Sequence, residues 1–145
     1  MPSRPELIMG AILIVDDSSE DGQITRHHVA KLAVHNLVHV LVSGEELITY
    51  LEGLAPYQDR LLYPYPIVIL LDMKMPGMSG MDVLAWLRDH PPHAAVPVLM
   101  LTGWSGDLRK MQQAYELGAR SFFTKPISAE EFARTAQSLK IPLSF

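Results

Sequence analysis

Ile67-Val68-Ile69-Leu70-Leu71-Asp72-Met73-Lys74-Met75-Pro76-Gly77 is the stretch on which the fold turns. Five apolar residues, three of them β-branched, lead straight into a carboxylate and then into turn residues. An apolar run without alternation fits a strand buried on both faces, as in a parallel sheet between helices. Asp72 then falls just past the carboxyl end of that strand, the edge at which open α/β sheets bind ligands. An isolated Asp there would do no more than open a turn. The rest of the chain gives it company.

Upstream, Ala11-Ile12-Leu13-Ile14-Val15 is a second strand of the same kind, and it too ends in acid, at Asp16-Asp17. Ser18, with Asp21 three residues on, predicts a helix N-cap with an Asp form of the capping box, and Ile24, His28 and Leu32 share a face of that helix. Asn36 to Val42 reads as a strand, followed by a stronger capping box, Ser43 with Glu46, for a helix reaching Leu54. Residues 55–66, rich in Pro and Tyr, have no clean period and read as a long loop.

Downstream, Ser79 with Asp82 caps a helix that carries Val83, Leu84, Trp86 and Leu87 and stops at Pro91-Pro92. Val96 to Leu101 is the next strand, ending at Thr102-Gly103. Ser105 starts a fourth helix, and Gly118 suits its C′ position. Ser121 to Thr124 is a short last strand before Lys125-Pro126, and Ser128 with Glu131 caps a fifth helix that ends near Leu139. This strand–helix alternation predicts an α/β fold: a doubly wound parallel sheet with helices on both faces and right-handed crossovers. The chain divides into a lead-in (1–8), one domain (9–140) and a tail (141–145) whose Ile141, Leu143 and Phe145 suit a homodimer seam or a fold back onto the core.

A net charge of −4 and a pI near 5.8 argue against a nucleic-acid or anionic-membrane partner, either of which needs clustered Lys and Arg. The absence of cysteine excludes disulfides, thiolate metal sites and Cys nucleophiles. No apolar stretch approaches the roughly 20 residues that span a bilayer. The start, Met1 to Glu6, lacks the apolar core of a signal peptide, so a cytoplasmic location is expected. His27, His28, His35 and His39 lie close together in sequence, yet no His-x3-His pair falls on one regular helix to hold a metal.

The carboxyl ends of the strands carry Asp16, Asp17, Asp72, Thr102 and Lys125. In a parallel sheet these ends form one rim. Three carboxylates beside one lysine raise one another's pKa unless a cation intervenes. A hard divalent ion such as Mg²⁺, which takes carboxylates, waters and a phosphate oxygen, answers that need. Thr102 offers a hydroxyl and Lys125 an ammonium to phosphoryl oxygens. Asp72 is then a candidate nucleophile for an aspartyl-phosphate.

With Ile14-Val15-Asp16-Asp17, Leu70 to Gly80, Leu101-Thr102 and Thr124-Lys125-Pro126 in this order, the chain resembles the receiver domains of two-component response regulators. The resemblance implies a flavodoxin-like sheet of order 2-1-3-4-5. It also implies that Asp72 takes phosphate from a sensor histidine kinase or a histidine phosphotransfer protein. Asp16, Asp17, Asp72 and the Lys74 carbonyl would hold Mg²⁺ or Mn²⁺, with Asp16 acting mostly through a water. Thr102 and Lys125 would contact the phosphoryl group, backbone N–H groups of Met73, Lys74 and Gly103 would cradle it, and Lys125-Pro126 would be cis. Such a module is a signalling phosphoacceptor, slowly dephosphorylating itself, rather than an enzyme. Its output is a downstream protein contact or a homodimer through the fourth helix, fifth strand and fifth helix.

Several positions set this chain apart. Phe122 stands where the family has its switch aromatic and, lacking a hydroxyl, signals only by moving between buried and exposed positions, in concert with Thr102. Lys74 and Trp104 flank the phosphate site, where Trp104 would screen attacking water and slow hydrolysis. The 55–66 loop is similar to an extension in stand-alone regulators that partner bacterial phytochromes; its plain alternative is a solvated insertion. A haloacid-dehalogenase-type phosphatase would want an acid two residues after its nucleophile, where Lys74 stands. A receiver-like scaffold that works without phosphorylation is the remaining alternative.

Overall fold

The structure, a computed structural model, describes residues 9–103 and 107–145. Strands β1 (Ala11–Val15), β2 (Val38–Leu41), β3 (Pro66–Asp72), β4 (Val98–Thr102) and β5 (Ser121–Thr124) form one sheet in the order β2-β1-β3-β4-β5. Every pairing is parallel. Helices α1 (Ser19–Ala30), α2 (Gly44–Leu51), α3 (Gly80–Arg88), α4 (Pro91–Ala94), α5 (Leu108–Glu116) and α6 (Ala129–Ser138) make the crossovers.

Successive strand residues point to opposite faces, so a strand with no polar member must be covered twice. Ala11, Leu13 and Val15 of β1 pack with Ile69 and Leu71 of β3 against α2 and α3. Ile12 and Ile14 face the other way with Val68, Leu70, Leu99 and Leu101, toward Val29 of α1 and Phe132 and Ala136 of α6. Each buried Leu or Ile contributes roughly 1.5–3 kcal/mol, so these two layers dominate stability. Among the described residues no helix is long and apolar enough to cross a membrane.

Several local expectations shift. α1 does not bury Ile24, which is 42% exposed; Gly22, Thr25 and Val29 form its inner stripe. Gly22 lies so close to β2 that a Cβ would stand 2.6 Å from Val40, and that approach sets the helix rotation. Asn36 is not part of β2: its side chain donates to the Gly10 carbonyl and accepts from the Ser144 N–H, tying the tail to the sheet. Ile141 and Leu143 pack on the α1/α6 side of the core, so the tail folds back, while Phe145 stays exposed. β4 begins at Val98, after Pro97, whose carbonyl accepts from Ile69 but which has no N–H to give the ladder. Pro91 and Pro92 do not only end α3; they open the short α4, because the first helical positions need no N–H. α2 ends at Leu51, ahead of Gly53 at φ +66°.

Asp107 caps α5 by accepting from the N–H groups of Arg109 and Lys110, whereas Ser105 lies outside the described residues. So does the 1–8 lead-in. Gly118 does take the C′ place of α5, with φ +111°.

The 55–66 segment is only partly a solvated insertion. Tyr57 and Tyr63 pack against Tyr50 of α2, at ring separations of 4.9 and 6.0 Å. The Tyr50 hydroxyl, fully buried, donates to the Pro64 carbonyl at 2.8 Å. Arg60 reaches back to the Leu51 carbonyl at 2.9 Å and lies over the Tyr50 ring at 5.6 Å. Tyr57, Pro64 and Pro66 are buried, while Ala55, Pro56, Gln58, Asp59, Leu61, Leu62 and Tyr65 are exposed.

Arg60→Ala removes two carbonyl bonds and the cation over the ring, and is expected to lower stability by about 1–2 kcal/mol in urea denaturation. Amide exchange should accelerate at residues 54–65 and remain slow in β1 and β3; uniform acceleration would show that Arg60 does not act locally.

Candidate functional site

Register builds the site. β1 pairs Val15 with Leu71 of β3, so the residues that follow, Asp16 and Asp72, emerge side by side where strand order reverses. β3 pairs Asp72 with Leu101, and β4 pairs Thr102 with Thr124, which brings Thr102 and Lys125 to the same edge. Ligand oxygens of Asp16, Asp17 and Asp72 all lie within 4.8 Å of one another. Asp16, Asp72 and Thr102 are buried, and Asp17 is exposed at the mouth.

Lys125 enters this group from the end of β5. Its Nζ donates to Asp16 Oδ2 at 3.0 Å and to Asp21 Oδ2 at 3.0 Å, and lies 3.4 Å from Asp72 Oδ1. The Lys125-Pro126 peptide is cis. Asp16 is held from its other side by the Ser18 N–H, which donates to Oδ1 at 2.9 Å.

Two like charges this close repel by about 3 kcal/mol at an effective dielectric near 20, and one ammonium among three ionised carboxylates leaves the cluster with excess negative charge. Burial, and then the Asp16 charge, push the Asp72 carboxyl up to about 6 against the pull of Lys125. Burial works to lower Lys125, but its bonds to Asp16 and Asp21 and the Asp72 charge win and hold it above the usual range. The unmet need is for positive charge among hard oxygen donors, which fits Mg²⁺ or Mn²⁺.

Gly80 sets how closely α3 approaches Asp72. A Cβ on it would stand 2.6 Å from the Asp72 carbonyl oxygen and 2.9 Å from Met73 Cα, so only glycine lets α3 start this close behind β3. The Gly80 N–H donates to the Met73 carbonyl, fixing the β3–α3 turn.

The structure amends parts of the expected cradle. The Met73 N–H donates to the Leu101 carbonyl at 2.8 Å as a continuation of the β3–β4 ladder, so it is not turned to a phosphate. Lys74 and Gly103, which follow the ends of β3 and β4, are exposed. Trp104 lies outside the described residues. Phe122 is half-buried and shares a small pocket of about 40 Å³ with Thr102, Met73 and Met111. His28 bonds the Ile127 carbonyl, His39 that of Leu62 and His90 that of Trp86.

Asp21 is the site residue that sequence reading missed. Its spacing from Ser18 gave it a capping role, and nothing local to that spacing points to Lys125, 104 positions away.

A doubly wound sheet of this order, with an acid cluster and a lysine at its switch point, defines a phosphoacceptor module. The chain belongs to the response regulator receiver domain family, which it matches over residues 12–137. It is 26% identical to response regulator Rcp1 of Synechocystis sp. over 89% of this chain and 85% of that one. The Mn²⁺-bound form of Rcp1 superposes with a TM-score of 0.73, at 25% identity over 92% of this chain and 95% of that one. The bacteriophytochrome response regulator AtBRR is 31% identical, with a TM-score of 0.80, over 94% of this chain and 96% of that one. The chain is also 29% identical to the 3′,5′-cyclic-nucleotide phosphodiesterase regA of Dictyostelium discoideum over 82% of its own length, but spans only 14% of that protein. The family and the site favour neither a phosphatase nor a phosphorylation-independent scaffold.

The folded state holds the Asp72 proton more tightly than the unfolded chain does. Stability from this group is therefore complete below about pH 4 and is lost as the pH rises toward 6. Asp72→Asn is expected to be more stable than the wild type by about 1–3 kcal/mol at pH 8 without divalent ions, and no more stable at pH 4. Urea denaturation at the two pH values measures this, and an equal difference at both would sink the assignment.

Proposed function

We propose that Asp72 accepts a phosphoryl group from a phosphohistidine of a sensor kinase or of a histidine phosphotransfer protein. An Asp72 carboxylate oxygen attacks phosphorus, the phosphorus–nitrogen bond breaks, and the imidazole leaves. Positioning and charge neutralisation supply the catalysis. The observation that carries this reading is the junction of Asp16, Asp17 and Asp72 within 4.8 Å, with the Lys125 ammonium 3.4 Å from Asp72.

Asp16, Asp17, Asp72 and the Lys74 carbonyl would hold Mg²⁺ or Mn²⁺, whose charge would offset that of the incoming phosphoryl oxygens. The Mn²⁺-bound form of Rcp1 supports that choice of ion. Thr102 and Lys125 receive the phosphoryl oxygens, with the Lys74 and Gly103 amides beside them.

The signal then passes from Thr102 to Phe122 through the pocket they share, and Phe122 exchanges between buried and exposed positions. The output face is α5–β5–α6, where Leu108 and Tyr115 are already exposed, and its partner is a downstream protein or a second copy of this chain. Likeness to AtBRR makes a phytochrome-type kinase the first donor to try, in a cytoplasmic setting.

Incubation with acetyl phosphate and Mg²⁺ should add one phosphoryl mass to the intact chain. The increment should vanish in Asp72→Asn or with EDTA, and fall at least tenfold in rate in Lys125→Ala, as expected for a charge aimed at the transferred group. An unmodified wild-type chain, where another receiver reacts, would refute the reading.

A further inference from the structure

Four helices carry Ser at the N-cap and an acid three residues on, and the four acids do not behave alike. In α3 and α6 the box closes: Asp82 accepts from the Ser79 N–H and Glu131 from the Ser128 N–H. In α2, Glu46 turns instead to the Val42 N–H and the Tyr57 hydroxyl. In α1 the Ser18 N–H is already taken by Asp16, and the Asp21 carboxylate swings out to Lys125. A local capping acid has been drawn into the phosphoacceptor site.

The competition for Lys125 is uneven. An ammonium has three N–H donors. Asp16 and Asp21 each hold one at 3.0 Å, while the acceptor Asp72 stands farther off at 3.4 Å. The Asp16 side chain is 1% exposed and fixed, whereas that of Asp21 is 45% exposed on the wall of a groove of about 190 Å³, with Ile24, Thr25 and Pro126. The spacing is set by the fold, since His28 of α1 bonds the Ile127 carbonyl at 2.9 Å and pins the helix to the turn after Lys125.

We propose that Asp21 is a positioning residue that restrains Lys125 in the resting state, drawing the ammonium toward α1 and away from the acceptor. The inference rests on Asp72 being the phosphoacceptor. Two effects act in the same direction. While bound to Asp21, Lys125 presents less of its charge to an incoming phosphoryl group, and the Asp21 carboxylate adds a negative charge that repels an anionic donor. Removal of the restraint frees the cation and lowers the repulsion together. Because Asp21 is half-exposed, water and salt screen its hold, so the effect is modest.

The test compares the wild-type chain with Asp21→Asn, Asp21→Ala and Asp21→Glu during phosphorylation by acetyl phosphate and Mg²⁺, followed by intact mass. Asn and Ala should react about three- to fivefold faster, through a lower KM for acetyl phosphate, and Glu should return to the wild-type rate. Nitrogen-15 NMR of the Lys125 ammonium supplies the second readout: its signal should shift and exchange faster with water in Asn and Ala but not in Glu. Unchanged or slower phosphorylation in Asn and Ala overturns the proposal, as does an unmoved ammonium signal. If the wild-type chain takes no phosphate at all, the Asp72 reading falls, and the ammonium signal still decides whether Asp21 holds Lys125.

Discussion

Among the described residues a single ammonium, that of Lys125, stands among the buried carboxylates at the edge of the sheet. The parallel sheet itself creates the difficulty that Lys125 answers, because adjacent strands of one direction deliver their terminal acids to the same place. Asp16 and Asp72 emerge side by side, and Asp17 lies close by at the mouth. Their mutual repulsion, a few kcal/mol per pair, is sustained by two apolar layers of which every buried Leu or Ile contributes a comparable amount. The site is thus short of positive charge by design of its scaffold, a shortage that a divalent cation would answer.

Rigidity reaches the site from both faces. Gly80 lets α3 begin against the backbone of Asp72 and Met73, and His28 fastens α1 beside the turn that follows Lys125. Asp17, Lys74 and Gly103 around Asp72 are exposed, and Phe122 beyond Thr102 is half-buried. The Tyr-rich segment before β3 is held by Arg60 and by the tilted and edge-on tyrosine rings around Tyr50.

The capping acids show where reading a sequence stops. Ser18/Asp21, Ser43/Glu46, Ser79/Asp82 and Ser128/Glu131 share one spacing, and each does place its Ser oxygen on the N3 amide. Only two close the reciprocal bond, because the other acids met stronger partners brought in by the fold. The same reason separates the α1 face that periodicity indicated from the one that is buried: Gly22 lies against Val40, and no spacing of apolar residues records that contact.

Strand existence, order along the chain, most helix starts, and the gathering of Asp16, Asp17, Asp72, Thr102 and Lys125 at one edge were legible in the residues alone. They follow from short-range rules: unbroken apolar runs, turn residues behind them, and the fact that all parallel strands end on the same side. What only the tertiary structure decided are the contacts between distant segments. Among them are Asp21 with Lys125, Asn36 with Ser144, Arg60 with Leu51 and Tyr50, and the Met73 amide committed to Leu101. Each is a choice among partners that local spacing leaves equivalent, and it is settled by which charged or hydrogen-bonding group the packed helices and strands bring within about 3 Å.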